Sequence, residues 1–317
     1  MQDQADSPGT APLLRIGTRA SPLARVQTDL VCHALVARWP DLAAPGAIAI
    51  VPLKTTGDKV LDRPLADLGG KGLFTRELDE AQLSGRIDLA VHSTKDVPTW
   101  LPDGLVLAAF LPRADVRDAF IGPGRSPFDL PVGAVVGTAS LRREAQLRQR
   151  RPDLQVLPLR GNVGTRLQKV SAGEVDATLL AAAGLARLGL ADRATALLAP
   201  EEMLPAVGQG AIGITCRADD AARLALIAGI DDAATRIAVT AERAMLDALN
   251  GSCRTPIGGL ARFAEDGRLR LDGLVARADG SGVVADHRLG APGDAARLGT
   301  DLGRALKARA DPAIFDA

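Results

Sequence analysis

The chain has 317 residues, 47% of them hydrophobic and 24% charged, with 33 Gly and 20 Pro; this excludes a disordered, collagen-like or low-complexity polymer and suggests two or three domains. Lys plus Arg is 38 and Asp plus Glu is 38, so the formal net charge is zero, which argues against a globally basic nucleic-acid binder and leaves only a local basic patch. Six Phe, two Trp and no Tyr are too few for an aromatic stacking platform.

No apolar run is long enough to span a membrane. Residues 1–12 lack an apolar stretch and read as a tail, not as a signal peptide. The three cysteines, Cys32, Cys216 and Cys253, are odd in number and far apart, with no CxxC pair. They predict neither a disulfide framework nor a zinc site, and a reduced cytoplasm is their natural setting.

In chain order, 13–17 is a short apolar strand. Ser21-Pro22 then caps and starts a helix whose apolar residues Leu23, Val26, Leu30 and Ala34 keep helical spacing. A strand over 47–53, a helix over 72–85 with a glycine stop, and a strand over 87–93 follow. Strands separated by helices imply parallel pairing and an α/β layer fold.

A second unit opens after an Arg/Asp-rich turn at 113–120. It alternates a strand at 134–137, a helix at 140–150, a strand at 155–159, a helix at 162–173, and a strand running into a turn at 176–184. The Gly-rich stretch 205–216 reads as a loop feeding a strand. A helix over 231–249 ends at Asn250-Gly251. Strands at 257–263, 269–276 and 283–289, then a helix at about 293–310, make a small α+β unit.

Local charge is the most informative feature. Between Ser140 and Val170 there are eight bases and two acids, a local charge of +6 inside a neutral protein. Arg142 and Arg143 lie in the first turn of a helix, where cations oppose the macrodipole. That placement makes sense if an anion docks at the Gly137-Thr138-Ala139-Ser140 turn, where backbone N–H groups, hydroxyls and guanidinium forks converge. Arg160-Gly161-Asn162, with Arg166 one turn further, repeats the arrangement. The plainer reading is a solvated face with i,i+4 pairs, which suits Arg148, Arg150 and Arg151 best.

His92, Ser93, Thr94, Lys95 and Asp96 crowd the carboxyl end of a buried-looking strand, where α/β proteins bind ligands. Asp96 is either an acid/base or counter-ion to a cation, or the start of an Asx-turn before Pro98. Lys95 is an anion contact or a solvated lysine. Loop 54–72 is long, glycine-rich and mixed in charge, as lids are, with Lys71 between glycines. Cys253 follows a helix end in a small-residue turn beside Arg254, so its thiol need not be buried. Cys216 and Cys32 read as core residues.

Eight collinear segments resemble the porphobilinogen deaminase (hydroxymethylbilane synthase) family. They are IGTRASPLA (16–24), GGKGLFTRELDEA (69–81), VHSTKDVP (91–98), GTASLRREAQL (137–147), LRGNVGTRL (159–167), AAGLARLGL (182–190), PAVGQGAIGI (205–214) and GSCRTPIGG (251–259). The resemblance implies an α/β protein of three domains. Two are lobes like those of periplasmic binding proteins, over 13–111 with 205–230 and over 112–204; the third is a small α+β domain over 231–317.

It also implies a dipyrromethane cofactor joined by a thioether to Cys253, extended by four porphobilinogen units and released by hydrolysis as 1-hydroxymethylbilane. The family's catalytic aspartate falls on Asp96. Its cofactor contacts fall on Ser93, Lys95, Thr138, Ser140, Arg142, Arg143, Arg160 and Gln209. Its substrate contacts fall on Arg19, Ser21, Arg166 and Arg187, with Lys71 and Phe74 in the lid region. A cytoplasmic monomer with no metal, nucleic acid or membrane partner is expected. Three positions depart from the pattern: Thr56 stands where relatives often have Arg, Ala139 where Ser is common, and Ser252 where Gly usually precedes the cysteine.

The residues fit that chemistry. Each porphobilinogen carries two carboxylates, so a growing chain needs many guanidinium groups. Loss of ammonia leaves an azafulvenium-like cation that needs a fixed anion, a task for Asp96. Two rivals predict otherwise: a non-catalytic two-lobed anion receptor has the mass of its bare sequence, and a nucleic-acid binder using 140–170 shows salt-dependent DNA or RNA affinity.

Overall fold

The computed structural model describes residues 13–59, 72–250 and 255–315. The chain opens with β1 (Leu14–Arg19) and α1 (Pro22–Arg38). Ser21 accepts the Ala24 N–H and Pro22 pre-sets the first helical φ, so this boundary falls where capping chemistry puts it. Next come β2 (Ile48–Leu53), the short α2 (Thr56–Lys59), α3 (Arg76–Leu83), β3 (Leu89–Ser93) and β4 (Leu105–Phe110).

The chain then passes to β5 (Asp118–Ile121), β6 (Val135–Gly137), α4 (Leu141–Arg150), β7 (Gln155–Leu157), α5 (Val163–Ser171), β8 (Ala177–Ala181), α6 (Ala182–Arg187) and β9 (Ala196–Leu198). It ends with β10 (Ile212–Arg217), α7 (Ala221–Ala228), α8 (Ala233–Ala248), β11 (Ile257–Phe263), β12 (Leu269–Val275), β13 (Val284–Gly290) and α9 (Ala295–Arg309).

Two five-stranded sheets have the orders β2-β1-β3-β10-β4 and β7-β6-β8-β5-β9, and a three-stranded sheet has the order β11-β12-β13. The protein is therefore α/β with a smaller α+β unit. Neither large sheet is purely parallel, which corrects the expectation from alternating strands and helices. β10 runs antiparallel to β3 and β4, and β5 antiparallel to β8 and β9. The reason is connectivity: β10 enters the first sheet after an excursion through the second, so no local crossover helix sets its direction. The segment expected as a turn at 113–120 contains the start of β5, and the turn expected after β8 is helical as α6.

Leu14, Ile16, Leu89, Val91, Ile212 and Ile214 form the first core against α1 and α7. Phe120, Val136, Leu147, Leu179 and Leu198 centre the second. In the third, α9 lies close on α8 because Gly299 and Gly303 carry no Cβ; one added there would collide with Ala241 O and Met245 O. The two passages between the large sheets touch, and a Cβ at Gly210 (φ 85°) would lie 2.5 Å from Ala114 O. Buried Glu242 of α8 ties this junction to the third unit. It accepts from Arg113 Nη1 at 2.6 Å and Nη2 at 3.1 Å, and from the N–H groups of Gly208 and Ala261.

Candidate functional site

The carboxyl ends of β1 and β3 build one wall of a cleft. β1 delivers Arg19, and the turn behind it delivers Ser21, whose Oγ caps α1. β3 delivers Ser93, and a single 3-10 turn carries Thr94, Lys95 and Asp96. Arg19, Ser21, Phe74, Ser93, Lys95 and Asp96 line the same concavity. Six residues singled out from three separate segments of sequence thus converge.

Arg19 organises this wall. Its Nη1 reaches Asp96 Oδ2 at 3.5 Å, and its guanidinium lies 4.2 Å from the centre of the Phe74 ring. No backbone N–H among the described residues donates to the Asp96 carboxylate, so the Asx-turn alternative is not what the structure forms. The loop after Asp96 is pinned from behind by Arg243 of α8, which donates to the carbonyls of Val97, Pro98 and Thr99. Ser93 Oγ and the Gln27 amide satisfy each other at 2.8 and 3.1 Å. Lys95 stays open to solvent although protein surrounds it on most sides. Desolvation, with Arg143 adding repulsion, brings its pKa down to about 8 against the pull of Asp96 and Asp118.

The second sheet supplies the facing groups. Thr138 Oγ1 accepts from Ser140 N–H at 3.1 Å, and Ser140 Oγ in turn caps α4 at Arg143 N–H. Asn162 caps α5 through Thr165 N–H, following Gly161 at φ 114°. Arg160 is half-buried beside it. Arg166 Nε donates to Gly161 O at 2.9 Å. Burial, with Arg143 and Arg160 as neighbours, brings Arg166 down to about 10 while Asp96 opposes the shift, so the two walls sense each other's charge. Arg187 binds Gly210 O at 2.7 Å, and burial brings it also to about 10.

Arg142 and Arg143 are placed differently from the sequence expectation of open carboxylate forks. Both are only 5% exposed. Their Nη2 atoms hold the two oxygens of buried Asp118 at 2.8 and 2.7 Å, and their Nη1 atoms hold Leu204 O and Leu179 O. Gln209 Nε2 joins the same carboxylate at 2.9 Å. Burial alone would raise the Asp118 pKa, but the two guanidinium charges outweigh it and hold the group far below the usual range. The anion at this helix start is thus first an internal one.

Asp118 was hidden in a segment read as a turn; its only signal was an acid next to a run of apolar residues. Gln27 was missed as a cleft residue too. Thr56, the lid departure, gives its N–H and hydroxyl to Glu77 Oε1 at 2.8 and 2.6 Å. Cys253, Ser252 and Lys71 lie outside the described residues.

The donor set suits an acidic pyrrole cofactor. Arg142 Nε, Arg143 Nε and Gln209 Oε1 are buried with no hydrogen-bond partner among the described residues. Two guanidiniums sharing one internal carboxylate leave one net positive charge at that point. Fold and site together define an α/β protein with a cationic cleft in which, among the described residues, Asp96 is the half-exposed carboxylate and Asp118 the buried one.

Comparison with known proteins makes this specific. The family profile described as "Porphobilinogen deaminase, dipyromethane cofactor binding domain" matches residues 14–225, and "Porphobilinogen deaminase, C-terminal domain" matches 236–308. The porphobilinogen deaminase of Nitrobacter hamburgensis is 54% identical over 304 residues, covering 96% of this chain and 95% of its own. The chloroplastic porphobilinogen deaminase of Oryza sativa subsp. japonica is 51% identical over 318 residues, covering 99% and 88%. Among solved structures, a TRAP periplasmic solute binding protein from Desulfovibrio salexigens aligns with 70% of this chain and 72% of its own at 12% identity and a TM-score of 0.40. The chain belongs to the porphobilinogen deaminase family.

Proposed function

We propose that the cleft carries out the family's reaction: four porphobilinogen molecules are deaminated and joined head-to-tail onto a dipyrromethane held through Cys253, and 1-hydroxymethylbilane is released by hydrolysis. The observation that supports this most is Asp96, one carboxylate at the end of β3, facing Arg19 in a cleft otherwise furnished with cations. When bound, the dipyrromethane supplies the pyrrole carbon at which growth begins. Thr138, Ser140, Arg142, Arg143, Lys95, Ser93, Arg160 and Gln209 would hold it.

Asp96 places fixed negative charge where the substrate's methylene carbon turns cationic as ammonia leaves. Its second oxygen is available to a pyrrole N–H or to a proton moving off the attacked carbon. Arg19, Arg166 and Arg187 orient the carboxylates of the incoming pyrrole, Ser21 adds a hydroxyl, and Phe74 holds Arg19 in place. The resemblance adds Lys71 as a further substrate contact. We divide the chain into domains over 13–111 with 205–230, 112–204, and 231–317, a reading that the three separate sheets support. We place the enzyme in the cytoplasm as a monomer.

Intact mass tests the reading. Freshly purified protein should exceed its sequence mass by two pyrrole units, give an Ehrlich-type colour and consume porphobilinogen. Cys253→Ser should have the bare polypeptide mass. A bare mass for the parent returns the protein to the class of anion receptors, and an adduct surviving in Cys253→Ser moves the attachment point elsewhere.

A further inference from the structure

His92 sits on β3 one residue before Ser93, 5% exposed, and lines the cleft with Arg19 and Asp96. The hydrogen bonds around it fix its tautomer. Gln82 Nε2 donates to Thr215 O at 2.8 Å, which turns the Gln82 carbonyl toward the Thr215 hydroxyl. Thr215 Oγ1 gives its single proton to Gln82 Oε1 at 2.7 Å. Thr215 Oγ1 is therefore an acceptor toward His92 Nε2, 3.0 Å away, and the ring proton is on Nε2. Nδ1 is left as a lone-pair acceptor with no partner among the described residues.

The other acceptors on this wall are mostly committed. Gln27 and Ser93 are bonded to each other, and Ser21 Oγ takes the Ala24 N–H. Among the described side chains that line this concavity, the acceptors that remain are on Asp96 and the His92 ring. Porphobilinogen brings donors as well as carboxylates: its aminomethyl group is a primary amine, protonated at neutral pH like a lysine.

We propose that His92 is held as a neutral imidazole protonated on Nε2, and that its Nδ1 lone pair accepts an N–H of the substrate's aminomethyl group; this rests on the porphobilinogen reading of the cleft. Burial and the neighbouring Arg19 charge bring the His92 pKa down to about 4, so the ring orients the amine without taking its proton. That matters for the leaving group. When the C–N bond breaks, its electron pair departs with nitrogen, and a nitrogen that still carries all three protons leaves as neutral ammonia. A stronger base at the same place would strip the proton and leave a poor leaving group.

The test uses the holoenzyme labelled with 15N-histidine. His92 should show a protonated Nε2 and an unprotonated Nδ1 across pH 5–8 (a window above its pKa of about 4). Porphobilinogen should shift the Nδ1 signal and barely move Nε2, whereas the same pyrrole lacking its aminomethyl group should leave Nδ1 unmoved. His92→Gln puts an amide near Nε2 but nothing at Nδ1; it should raise KM roughly tenfold with cofactor mass and melting temperature retained. His92→Asn, with an amide near Nδ1, should recover part of that loss. An Nδ1-protonated ring, a substrate-insensitive Nδ1, or an unchanged KM in a folded His92→Gln would overturn the proposal. Failure of the parent to consume porphobilinogen would instead remove the reading beneath it.

Discussion

The two walls of the cleft use the same pair of chemical groups in opposite ways. On the first, Arg19 and Asp96 stand 3.5 Å apart with side chains 21% and 30% exposed, and the guanidinium rests on an aromatic face. On the second, Asp118 is fully buried and grips Arg142 and Arg143 at 2.8 and 2.7 Å, while backbone carbonyls occupy their remaining Nη atoms. A loose, half-exposed pair contributes little to stability and gives up its partner easily. A buried one with both carboxylate oxygens engaged is costly to break and hard to rearrange. On the proposed reading, reaction and exchange belong to the first wall, and a fixed charge to the second.

The largest expected effect comes from removing the open carboxylate. Asp96→Asn should lower turnover by roughly 10²–10⁴, the range associated with losing a charge-stabilising or proton-transferring group. Its unfolding free energy should stay within about 1 kcal/mol of the parent, and its intact mass should still include the cofactor. Near-normal turnover would take Asp96 out of the reaction and erase the functional half of the comparison.

Asp118→Asn should do the reverse, costing about 3–5 kcal/mol in a urea melt because two buried guanidiniums lose their anion. The pH dependence has a definite sign. The folded-state pKa of Asp118 is depressed, so its contribution is complete above the unfolded carboxylate value of about 4 and fades as pH falls below it toward the folded value. The gap between parent and Asp118→Asn should therefore shrink under acid. A gap that widened there would mean that Asp118 is not the anion holding these arginines.

This contrast also explains what could be read from the sequence. Caps are local chemistry, so Ser21, Ser140 and Asn162 announced their helices, and each accepts the expected N–H. The open wall was legible because polar residues bunched at the end of an apolar strand. The closed wall was not: burial of a charge depends on partners far away in sequence, and Asp118 meets arginines 24 and 25 residues on. β5 was hidden for the same reason, since a strand that begins with a buried acid looks like a turn. The direction of β10 was invisible because it depends on a passage through another sheet, and α6 because a run of alanines with one glycine suits a strand end or a helix equally.

The smallest effect sharpens the division within the first wall. Phe74 lends Arg19 its ring face, and a cation–π contact at a partly exposed site contributes about 0.5–1 kcal/mol. Phe74→Leu keeps an apolar side chain but loses the ring face, so Arg19 keeps its ion pair and becomes less well oriented. KM for porphobilinogen should rise about two- to fivefold with kcat nearly unchanged. The matching control is Phe128, whose ring centre lies 3.5 Å from the Arg150 guanidinium and which packs against the second core. Phe128→Leu removes a contact of the same kind at a residue outside the proposed site, so it should shift the melt and leave KM alone. If both substitutions moved KM alike, Phe74 would be acting through general loosening of the protein and not through Arg19.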